Sequence, residues 1–119
     1  MSRITLYHNP RCSKSRAAKE ILESHYLDFE VVNYLEEPLS REEVLELLEM
    51  LEIEPGDLIR KDSHFHELGL DPEEYTTPEA VAALLEAYPK LMQRPVAVRD
   101  GRAVLGRPPE RVEELVREN

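Results

Sequence analysis

Cys12 is the one cysteine in the 119-residue chain, and its neighbours decide what a single sulfur can do. It lies in His8-Asn9-Pro10-Arg11-Cys12-Ser13-Lys14-Ser15-Arg16, between a run that reads as a strand and a run that reads as a helix. At the mouth of a helix, unpaired backbone N–H groups and the helix dipole favour an anion, so a thiol placed there ionises more readily. Arg11, Lys14 and Arg16 add positive charge, and His8 and Ser15 bring hydrogen-bonding groups. A lone cysteine is more often a buried structural residue. Here the flanks are polar and basic, which points instead to a nucleophilic thiolate.

Two cysteine motifs are excluded. Ser15 stands where a Cys-x-x-Cys dithiol needs its second sulfur, and Ala18 stands where a phosphatase-type loop needs its arginine. A redox enzyme with one thiol must therefore take its second sulfur from outside, from glutathione or a partner protein. Arg60, Arg94 and Arg107 each fall at an element boundary, where a side chain can converge on a shared cleft. Guanidinium forks match tetrahedral oxyanions and keep their charge. Taken singly, each would be read as a solvated surface residue paired with one of the 25 acids. His64 and His66 are two residues apart, no HExxH pattern occurs, and no metal site is expected.

The elements that must position these residues are legible from pattern. Ile4–Tyr7 reads as a strand that ends at the turn-forming His8-Asn9-Pro10, and Ser13 or Ser15 is expected to cap the following helix. That helix carries Ala17, Ala18, Ile21 and Leu22 on one face. Phe29–Tyr34 is the next strand, and two strands separated by a helix favour parallel pairing. Ser40 with Glu43 is a capping-box pattern ahead of Val44, Leu47, Leu48 and Leu51. Pro55-Gly56 breaks that helix, Asp57–Arg60 is expected to begin a short one, and Thr77-Pro78 starts a third over Val81, Leu84, Leu85 and Tyr88. No strand pattern occurs from about Pro38 to Pro89. Val96–Val98 and Ala103–Leu105 flank Asp100-Gly101, a hairpin signal, and Pro108-Pro109-Glu110 opens a closing helix. The order is β-α-β, helices, β-β-α, an α/β chain expected to form one domain over 1–119 with a helical insertion at 38–89.

Composition agrees. Hydrophobic residues make up 41%, enough for a core, and the net charge of −10 disfavours nucleic acid and anionic membranes as partners. The acids of 40–52 and 71–87 read as solvated helix faces. No apolar run is long enough to span a membrane, and Met1–Leu6 lacks a signal-peptide core. One cysteine fits a reducing cytoplasm.

The segment Tyr7–Arg16 resembles the active-site loop of the glutaredoxin-coupled arsenate reductases. Tyr34-Leu35-Glu36-Glu37-Pro38, Leu58-Ile59-Arg60-Lys61, Glu67-Leu68-Gly69-Leu70, Arg94-Pro95-Val96 and Gly106-Arg107-Pro108 are similar to further segments of that family, in the same order and over nearly the whole chain. The resemblance implies a thioredoxin-like fold, a small mixed four-stranded sheet flanked by helices with an inserted helical subdomain. It implies Cys12 as nucleophile, His8 beside the thiolate, Ser15 hydrogen-bonded to the sulfur, a cis bond at Arg94-Pro95, and Arg60, Arg94 and Arg107 as an oxyanion triad. The implied activity is reduction of arsenate to arsenite, with glutathione as co-substrate, glutaredoxin as partner and no bound cofactor. Ser13-Lys14 departs from the small Gly-Thr pair of many members and adds charge at the helix start. A regulator branch of the same fold, which contacts RNA polymerase, carries a Cys-x-x-Cys switch that Ser15 removes here. A general glutathione-dependent thiol reductase is the third reading.

Overall fold

The computed structural model describes residues 3–117 and divides into two compact units. The first is built from 1–37 and 94–119. Its strands are β1 (Ile4–His8), β2 (Phe29–Asn33), β3 (Val96–Arg99) and β4 (Arg102–Leu105), in one sheet of order β2-β1-β3-β4. β1 and β2 run parallel, with Leu6 opposite Val31; β3 is antiparallel to both β1 and β4. The parallel pair requires a crossover, which α1 (Ser13–Ser24) provides. The β3–β4 pair needs only Asp100-Gly101, both at positive φ, the conformation a two-residue hairpin turn demands.

One face of this sheet is apolar by alternation. Ile4 and Leu6 of β1, Ala97 of β3 and Val104 of β4 pack with Ala18 and Leu22 of α1 and with Val112 and Leu115 near the C-terminus. The closing segment is tighter than expected: a 3₁₀ turn at Pro109–Val112 leads into the short α5 (Glu113–Val116). Pro108 and Pro109 lack N–H groups, so the turn opens without leaving those donors unpaired. The result is a thioredoxin-like α/β fold.

The second unit runs from Pro38 to Gln93 and is helical. Its α2 (Arg41–Met50) begins with a reciprocal capping box between Ser40 and Glu43. It packs against α4 (Pro78–Ala87), capped by Thr77 with Pro78 in its first turn. Between them lie a 3₁₀ turn at Pro55–Leu58, the short α3 (Ser63–Glu67) and a second 3₁₀ turn at Pro72–Glu74. The helix expected to begin at Asp57–Arg60 is not formed. The turn starts at Pro55, and Ile59 is already extended, because it makes an antiparallel bridge with Met92. Arg60 N–H donates to Leu91 C=O at 2.6 Å and Gln93 N–H to Leu58 C=O at 2.8 Å, which fixes the backbone on both sides of that bridge. The same bridge carries the unit past the Pro89 boundary read from sequence.

Candidate active site

The chain leaves β1 at His8 and enters α1 at Ser13, and the four-residue loop between is closed on itself. Cys12 N–H donates to Asn9 C=O at 3.0 Å, and Arg11 N–H donates to Asn9 Oδ1 at 3.0 Å. Asn9 N–H donates to Ser15 Oγ at 3.0 Å, in a buried position. Arg16 Nη1 donates to Pro10 C=O at 2.9 Å. The N-cap of α1 is Cys12 itself, extended at φ −95° and ψ 123°, with its carbonyl accepting from Arg16 N–H. Neither Ser13 nor Ser15 caps the helix. Ser13 is its first residue, and Ser15 sits inside the first turn, where its hydroxyl is drawn back to Asn9.

An N-cap sulfur faces the free N–H groups of the first turn. Partial burial pushes the Cys12 thiol up, but opposing interactions outweigh it. The Ser15 N–H, the Arg94 guanidinium and the Lys14 N–H hydrogen-bond the ionised sulfur, and the Arg94 charge adds to them, so the thiol titrates below its ordinary range. Ser15 thus reaches the sulfur through its backbone, while its side chain serves the loop.

His8 ends β1 and is buried at 6% exposure. Burial, then the charges of Lys19 and Arg16, hold its imidazole below the usual histidine range, against a smaller raising contribution from the Ser15 backbone. These causes favour its neutral form. The groups that lower the thiol are those of Ser15, Arg94 and Lys14.

Arg94 precedes β3 through a cis bond to Pro95, as the family resemblance implies, and Arg107-Pro108 is cis as well. The entry to β3 and the exit from β4 are clasped. Gly106 N–H donates to Pro95 C=O at 2.8 Å, and Arg107 Nη1 donates to Arg94 C=O at 3.0 Å. One end of the Arg107 guanidinium therefore holds the backbone of the arginine that meets the sulfur. Arg60 belongs to the helical unit, where its Nη1 lies 3.4 Å from Asp62 Oδ2 while Asp62 Oδ1 caps α3 at Phe65 N–H. Pattern reading passed over Asn9, Gly106 and Asp62. An Asn-Pro dipeptide signals a turn, but not which groups the turn ties down.

A thioredoxin-like sheet, a single cysteine at the N-cap of α1 and an arginine beside a cis-proline together define a one-cysteine thiol protein. The sequence matches the ArsC family model over residues 7–115, and the chain belongs to that family. It is 36% identical to an arsenate reductase of Neisseria meningitidis, covering 98% of this chain and 100% of that protein. It is 39% identical to the uncharacterized protein YfgD of Escherichia coli K12, covering 95% of this chain and 96% of that one. Among solved structures, an arsenate reductase from Vibrio cholerae superposes with a TM-score of 0.86 at 37% identity, over 94% of this chain and 96% of that one. Among the described residues, no helix is long and apolar enough to cross a membrane.

Proposed function

We propose that this protein reduces arsenate to arsenite with Cys12 as nucleophile, glutathione as co-substrate and glutaredoxin as partner, in the reducing cytoplasm. The observation that carries the reading is the Cys12 sulfur at the N-cap of α1, where first-turn N–H groups and the Arg94 guanidinium lower the pKa of its thiol. Such a sulfur attacks arsenic: an S–As bond forms, an As–O bond breaks, and the oxygen takes up protons and leaves as water. Arsenic is still pentavalent at this point. A glutathione thiol displaces a second oxygen in the same way. A glutaredoxin thiol then attacks the glutathione sulfur. The bond from that sulfur to arsenic breaks, its electron pair reduces arsenic to the trivalent state, and a mixed disulfide leaves. Water releases arsenite and frees Cys12.

A doubly charged oxyanion approaching a thiolate meets repulsion that the partial charge of a helix end offsets only in part. Arg94 and Arg107 are the guanidiniums assigned to that task in the sheet unit, and Arg60 is assigned as the third on its sequence motif. Hydrogen bonds to charged groups contribute about 1.5–3 kcal/mol each, so Arg94→Ala is expected to lower arsenate turnover by about one to two orders of magnitude. Arg94→Lys should recover only part of it, since it supplies charge without the fork. Assay with arsenate, glutathione and glutaredoxin checks both variants. No turnover by the native protein, or undiminished turnover by Arg94→Ala, overturns the assignment.

A further inference from the structure

Asn9 makes three of the hydrogen bonds that shape the loop before Cys12. Its carbonyl accepts from Cys12 N–H, its Oδ1 accepts from Arg11 N–H, and its own N–H donates to Ser15 Oγ, each at 3.0 Å. Asn9 itself is buried at 6% exposure, and Ser15 is fully buried. The first two bonds fold Asn9-Pro10-Arg11-Cys12 into a turn of the kind an asparagine side chain stabilises by accepting from the backbone two residues on. The third ties the end of β1 to the first turn of α1. A loop closed at both ends has one place for residue 12, and that place is the N-cap.

We propose that Asn9 is the positioning residue for the nucleophile: its side-chain turn and its backbone bond to Ser15 hold the Cys12 sulfur in front of the free N–H groups of α1. This rests on Cys12 being the reactive thiolate of the proposed function, and it explains why Ser15 lies inside the helix. Its hydroxyl accepts from the Asn9 N–H in the loop, which leaves the main chain to meet the sulfur. Removing the Asn9 amide leaves the Arg11 N–H without its acceptor and frees Pro10-Arg11 to turn away. Cys12 would then stand off the helix axis, and the first-turn donors would favour the thiolate less.

The test is the rate of Cys12 alkylation by iodoacetamide, a neutral reagent, followed from pH 5 to pH 10 on the full-length native protein, Asn9→Ala and Asn9→Ser. Iodoacetamide needs no oxyanion site, so its pH midpoint reports the thiol alone. For Asn9→Ala the midpoint is expected to rise by about one pH unit, which removes about nine-tenths of the thiolate at pH 6. A more basic thiolate is the better nucleophile by about threefold per unit, so the rate at pH 6 should fall about threefold and the high-pH plateau should rise. A merely structural role predicts lower stability with an unmoved midpoint. Asn9→Ser retains a weaker acceptor for the same turn, and its midpoint should fall between the other two. If Asn9→Ala does not fold, Asn9→Ser decides alone: a raised midpoint supports the proposal, and the native value overturns it. A folded Asn9→Ala with the native midpoint, or Ala and Ser variants shifted equally, overturns it while leaving the thiolate reading intact. A native midpoint at the free-thiol value of about 8.5 removes both.

Discussion

At the scale of single residues, the chemistry was legible where local pattern sets it. A cysteine that follows an apolar strand and precedes an amphipathic run falls at a helix mouth, and Cys12 is the N-cap of α1. What local pattern cannot give is the atom that makes each contact. Serine is a good cap, so Ser13 and Ser15 drew the assignment, but the loop closure gives Ser15 Oγ to Asn9 and its N–H to the sulfur. His8 shows the same limit, since its protonation follows from burial and two neighbouring charges rather than from adjacency to Cys12. Its folded pKa lies below the ordinary 6.5, so between the two values the unfolded chain binds more protons. Stability should then rise with pH across that window and fall as pH drops below 6.5, with His8 disfavouring the folded state once both forms are protonated. Thermal unfolding of the native protein and His8→Asn between pH 5 and pH 7 checks the sign. The native protein should lose stability relative to the variant on acidification, and a constant difference would remove His8 from the account.

At the scale of elements, the parallel pairing of β1 with β2 and the β3–β4 hairpin followed from sequence because their signals are local. The clasp between the exit of β4 and the entry of β3 did not, because both of its bonds join residues more than ten apart in the chain. It depends on Gly106. A Cβ there would lie 2.7 Å from Pro95 Cγ and 3.3 Å from Val112 Cγ1, and a proline ring cannot swing aside as a long side chain can. Gly106→Ala should therefore cost about 1–3 kcal/mol as an overpacked site. It should also raise the pH midpoint of Cys12 alkylation, because Arg94 is carried by the segment that must move. Gly101→Ala is the control. Gly101 sits at φ 77° with nothing within 4 Å of its added Cβ, so strain alone should cost about 1 kcal/mol and leave the midpoint in place. Denaturant unfolding gives the first quantity and alkylation the second. Equal midpoints for the two variants would dissociate the clasp from the thiol. Arg60 teaches the same lesson from the other unit: local periodicity suggested a helix, and the long-range bridge of Ile59 to Met92 imposed an extended backbone.

At the scale of the whole molecule, charge is divided as unevenly as structure. The helical segment Pro38–Gln93 holds 14 acids and four bases, so it carries the entire net charge of −10, and the remainder of the chain is neutral. Some of those acids are well placed. Glu42 and Glu43 lie in the first turn of α2 and Glu79 in the first turn of α4, where the helix dipole favours them. Others are not: Glu49 is in the last turn of α2, which has no basic residue. Acids exceed bases more than threefold in this segment, so self-repulsion should outweigh the surface ion pairs, such as Arg41–Glu86, that salt would weaken. Raising NaCl from about 10 mM to about 150 mM shortens the Debye length from about 30 Å to about 8 Å and should raise the unfolding temperature. Glu49→Lys should add about 0.5 kcal/mol at the low salt concentration, roughly 2–3 °C, by removing one like charge and placing a cation at a helix C-terminus. That gain should shrink at the higher salt concentration. Thermal unfolding followed by far-ultraviolet circular dichroism at both concentrations tests it. A protein that loses stability on adding salt, or a variant whose gain does not depend on salt, would mean that ion pairs rather than repulsion govern the helical unit.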